Sequence, residues 1–66
     1  MSLAAAAESL EGVLKGRDGF FVSTPPNGKV ILVSVNEEAR EDDRHLLRRL
    51  TRDGWEGWKV RIEGML

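Results

Sequence analysis

The sequence predicts a small α+β domain, an α-β-β-α-β chain whose three-stranded mixed sheet carries two helices on one face. Three observations lead there. Lys29-Val30-Ile31-Leu32-Val33-Ser34-Val35 is the longest apolar run and the richest in β-branched residues, which favours a pleated strand. It is apolar at odd and even positions alike, as in a strand buried on both faces, so it is placed at the centre. Two stretches, about 3–15 and 37–52, have helical spacing, and 58–63 alternates strictly.

Ser2 is a suitable N-cap for the first helix. Leu3, Ala7, Leu10 and Leu14 form its apolar stripe, widened by Ala6 and Val13. Gly12 weakens this helix, and Gly16 can end it. After the turn Arg17-Asp18-Gly19, Phe20-Phe21-Val22-Ser23 reads as a strand. Thr24-Pro25-Pro26 stops it, and Asn27-Gly28 suits a hairpin turn into the central strand. The second helix is acidic over Glu37 to Asp43 and basic over Arg44 to Arg52, matching the helix dipole. Three-residue pairs, Glu37–Arg40 and Glu41–Arg44, are expected along it. Asp43 conflicts by falling on the apolar side: it is either peripheral or, with Asp42, a candidate N-cap of a shorter helix. Asp53-Gly54 ends the helix. Trp58, Val60 and Ile62 then alternate with Lys59, Arg61 and Glu63 in the third strand. Central strand, helix and third strand make a βαβ unit with an expected right-handed crossover. Arg-Asp-Gly followed by an aromatic occurs twice, at 17–20 and 52–55, and reads as a glycine helix stop used twice.

Sixty-six residues suffice for one domain. So short a chain buries only about 60% of its unfolded surface, and oligomerisation is a common way to gain more. Without cysteine there is no disulfide framework and no thiolate cage. The net charge of −1 argues against a non-specific polyanion binder. The N-terminal stretch lacks a positive n-region, and Glu8 interrupts its apolar run, so no secretory signal is expected. No stretch approaches the length of a membrane span. A cytoplasmic location is expected, and the high charged fraction leans towards a thermophilic source.

Two helices cannot cover both faces of this sheet. The covered face is expected to take Ile31, Val33, Val35, Trp58, Val60, Ile62 and one of Phe20 and Phe21. The other face keeps Val30, Leu32 and the remaining phenylalanine, beside Lys59 and Arg61. An apolar patch left in water is unusual for a monomer, which points to self-association, most simply as a two-fold dimer. Met65, Leu66 and the stems of Lys59 and Arg61 are the competing cover. The element order is shared by several small folds, and no motif selects among them.

No catalytic constellation emerges. His45, the single histidine, has no nucleophile or orienting partner in a recognisable motif. The acidic run lacks the spacing of a calcium loop, so neither metal nor cofactor is expected. Gly16-Arg17-Asp18-Gly19 has the G-x-x-G pattern of a KH loop, but it joins a helix to a strand and carries an acid. The arginines at 40, 44, 48 and 52 read as a solvated face with a basic end. The expectation is a non-enzymatic module that associates with itself or another protein through Val30, Leu32, Phe20, Phe21 and Trp55. The alternative is a nucleic-acid-binding module using Arg48, Arg49, Arg52, Lys59 and Arg61, with Trp55 available to stack on bases.

Overall fold

The computed structural model describes residues 1–26 and 28–64. The readings that involve Asn27, Met65 and Leu66 lie outside the described residues. The order is α1 (Leu3–Leu14), β1 (Phe20–Ser23), β2 (Val30–Val35), α2 (Glu41–Asp53) and β3 (Lys59–Gly64). The three strands form a sheet in the order β1-β2-β3, antiparallel at β1/β2 and parallel at β2/β3. The fold is the α+β arrangement expected, with β2 at the centre.

Both helices lie on one side of the sheet. Ile31, Val33 and Val35 are buried, whereas Val30, Leu32 and Ser34 are only partly so. One core joins Ala6, Ala7, Leu10 and Leu14 of α1, the odd residues of β2, Val60 of β3, and Leu47 and Leu50 of α2. Helix α1 rests on β1 and β2, and α2 rests on β3. Ser2 caps α1, its hydroxyl oxygen accepting from the Ala5 N–H at 3.2 Å. Gly16 ends that helix at φ 86°. Val13, expected on the apolar stripe, is exposed instead. Ala6, Ala7, Leu10 and Leu14 are enough to meet the sheet, and the stripe is narrower than the sequence suggested.

Helix α2 begins at Glu41, four residues later than the spacing predicts. The cause is Asn36. Its side-chain Oδ1 accepts from the Glu38 N–H at 2.9 Å, and its carbonyl accepts from the Ala39 N–H at 3.2 Å. This local turn competes with helix formation. Ala39 is then buried against Gly19, where an added Cβ would strike the Ala39 backbone. Arg40 is the N-cap, without a side-chain cap bond, so neither Asp42 nor Asp43 caps the helix, and Glu37–Arg40 is not a helical pair.

The Asp43 conflict is resolved by a partner twenty-six residues earlier in the chain. Arg17 Nη1 donates to Asp43 Oδ1, joining the α1–β1 turn to the first turn of α2. The carboxylate is buried, while the Arg17 side chain stays 44% exposed. The positive end of α2 adds to the support for the carboxylate. The two Arg-Asp-Gly stretches are therefore unlike. Arg17 crosses to α2, whereas Arg52 bonds its own neighbour Asp53, and Gly54 at φ 78° is the C-cap of α2.

Two stability measurements check this account. Arg17→Ala strands a buried carboxylate and is expected to cost about 3 kcal/mol. Asp43→Ala leaves a guanidinium that water already reaches, at about 1 kcal/mol. Equal urea midpoints for the two variants would contradict the asymmetry. Gly12 is exposed inside α1 with open space where a Cβ would stand, so Gly12→Ala should raise stability by about 1 kcal/mol, read from the same unfolding curves.

Candidate functional surface

The register assigns the side of each strand residue. Phe21 lies opposite Ser34, and Ser23 opposite Leu32. Val30, Leu32 and Ser34 pair with Lys59, Arg61 and Glu63. These eight side chains share the face turned away from the helices. Phe21 is 68% exposed on the β1 edge of this face, opposite Ser34 and diagonal to Leu32; Val30 lies further along β2, and charge runs along β3. Both helices pack on the other side of the sheet, and Val30, Leu32 and Ser34 on this face are half-buried.

Phe20 and Trp55 fall elsewhere. Phe20 lies opposite Val35 on the helix side and packs against the core. Trp55 also packs against the core, with its indole Nε1 buried and unpartnered among the described residues. It opens a two-residue turn closed by bonds between the backbones of Trp55 and Trp58, at 2.8 and 2.9 Å. Glu56 and Gly57 have φ 52° and 81° there, the signs of a type I′ hairpin turn. Trp58 packs on the core as its alternation suggested, and its Nε1 donates to the Met1 carbonyl at 2.9 Å. That last contact had no signal in the sequence.

The proposed basic patch is divided. Lys59 and Arg61 stand on the open face, while Arg48, Arg49 and Arg52 stand on the exposed side of α2, beyond the sheet and the core. Part of the arginine row is also engaged. Arg48 Nη1 lies 3.3 Å from His45 Nδ1, and Arg52 Nε donates to Asp53 Oδ1 at 3.0 Å. That bond holds the Asp53 carboxyl below its usual range and the Arg52 guanidinium above its own, although both are fully exposed and screened by water. Arg44 is half-buried with its Nε unpartnered among the described residues. Glu41 meets His45 at 3.7 Å rather than the expected Arg44. His45 is exposed on α2. Among the described residues no three His, Cys, Asp or Glu side chains gather as a metal site, and no helix is long and apolar enough to cross a membrane.

No family model, no curated protein and no solved structure matches this chain. What the surface can do follows from its own residues. Beside the open face runs a groove of about 890 Å3 between the outer side of α1 and β1. Glu8, Glu11, Gly12 and Lys15 line its helical wall, and Phe20 to Thr24 line the other. The second recess, about 520 Å3, lies between the end of α2 and the start of β3, with Arg52, Asp53 and Lys59 on its rim. The sequence offered no sign of the groove, because nothing local to α1 or β1 says how far apart their outer sides lie.

The two phenylalanines separate the faces experimentally. Phe21→Ser should change the stability of the dilute protein by no more than about 0.5 kcal/mol, and Phe20→Ser should cost roughly 2 kcal/mol. Urea unfolding that ranks them the other way would reverse the assignment.

Proposed function

We propose that the chain is a small non-enzymatic association module whose contact surface is the uncovered sheet face together with its β1 edge. The observation that carries this reading is the exposed Phe21 diagonal to the half-buried Leu32, on a face where no helix packs. Contiguous exposed apolar surface of this kind marks interaction sites. The edge adds unpaired backbone groups that another strand can satisfy. Sedimentation velocity from about 1 to 100 μM tests it. The expected result is a mass rising above the 7.4 kDa of one chain as concentration increases, with Phe21→Glu holding the protein at one chain. A single chain across the whole range would reject self-association.

Nucleic-acid binding has less support. Its five basic residues are divided between the open face and the outer side of α2, only Arg52 and Lys59 among them lining a common recess, and the net charge is −1. The expectation is elution from heparin at low salt. Tight retention that falls steeply with added salt would favour the phosphate-binding alternative.

A further inference from the structure

We propose that the occupant of the β1 edge is a second copy of this chain, paired antiparallel through β1 on a two-fold axis at Phe21. The proposal rests on the association reading above and specifies its geometry.

The backbone sets the register. The Gly19 carbonyl accepts from the Asn36 N–H at 3.0 Å, and the pairing of Phe20 with Val35 places these two residues directly opposite. Alternation along an antiparallel pair then turns the bonding groups of Phe21 and Ser23 towards β2. The N–H and C=O of Phe20 and Val22 point out of the sheet. An axis at Phe21 sets Phe20 opposite the second copy's Val22, and the reverse, so that four hydrogen bonds close the edge. It also makes Phe21 a non-hydrogen-bonded pair with itself. In such a pair Cα atoms approach to about 4.5 Å, and the two exposed rings would meet on the open face.

The edge itself is unguarded. Phe20-Phe21-Val22-Ser23 has no charge and no proline, the usual devices against strand addition, whereas β3 carries Lys59, Arg61 and Glu63. The groove supplies the selectivity. Glu8 stands towards one end of its helical wall, Lys15 towards the other and Glu11 between them, and among the described residues none of the three forms an ion pair. A two-fold axis reverses the second copy, bringing its Lys15 towards Glu8 and its Glu8 towards Lys15, while the two Glu11 side chains fall near the axis and oppose these attractions. Stacking two open faces is a poorer alternative. Strands of four, six and six residues present roughly 250 Å2, against about 800 Å2 per partner in a standard interface. Edge pairing leaves the open faces uncovered and buries instead the Phe21 rings and the walls of the groove.

Charge reversal tests the arrangement. Glu8→Lys and Lys15→Glu should each weaken the dimer about tenfold, since every contact occurs twice. The double variant should return the dissociation constant to within about threefold of the original. The two residues are seven apart on α1, too far to pair within one chain, so a structural effect on α1 would add in the double variant instead of cancelling. Amide exchange gives the second readout: the Phe20 and Val22 N–H should be slow in the dimer and fast at high dilution. A dimer that is unmoved by either charge reversal, keeps fast exchange at both amides, and is broken by Leu32→Ser would overturn edge pairing while leaving association intact. A protein that stays a single chain at every concentration would end both.

Discussion

Both helices pack on the same side of β2, and the rest of the molecule follows from that placement. Ile31, Val33 and Val35 meet α1, α2 and Val60 in a single core. Val30 and Leu32 are left on the far side although they belong to the same apolar run. A chain of 66 residues has two helices to spend, and a three-stranded sheet with apolar residues on both faces calls for more cover than two helices on one side provide. The exposed surface is thus the remainder of a packing problem, and its apolar part, led by Phe21, is where a contact can form.

One long-range ion pair holds the one-sided packing in place. Arg17 follows α1, and Asp43 sits in the first turn of α2. Their bond ties the entry to β1 to the entry of α2 across the helical layer. The buried end is the carboxylate and the wet end is the guanidinium, so the pair avoids burying two charges at once. Close approach at Gly19 and Ala39 sets the same corner from the backbone side. The hairpin, α1 and α2 therefore meet at one fixed point, while the opposite side of the sheet stays open.

Much of the fold was legible because its signals are local. The Ser2 cap, the α1 stripe apart from Val13, the β2 run and the alternation of β3 each occupy one short stretch and appear where expected. The errors came where a local signal competed with another or depended on a distant residue. Asn36 diverted the backbone into a turn and delayed α2, although the acidic run looked continuous with it. Asp43 broke the helical pattern, and that break was the one trace of its bond to Arg17, twenty-six residues away. Phe20 and Phe21 could not be told apart by composition, because only the hairpin register decides which one faces the helices. The basic residues were grouped by charge, yet the alternation of β3 already set Lys59 and Arg61 opposite Val60 and Ile62, away from α2. Trp55 could pack or bind, and its place at the start of a tight turn against the core favoured packing.

The central claim is that the Val30, Leu32 and Phe21 side chains face water in one chain and that Phe21 loses it on assembly. Relaxation of side-chain resonances by a soluble paramagnetic probe measures this directly at low and high protein concentration. The account predicts strong relaxation of the Val30 and Leu32 methyls and the Phe21 ring in dilute solution, with weak relaxation of the Ile31 and Val33 methyls throughout. Phe21 should then become protected as concentration rises. Val30, Leu32 and Phe21 already shielded in the most dilute sample would contradict it, because the second face of the sheet would then be sealed within a single chain.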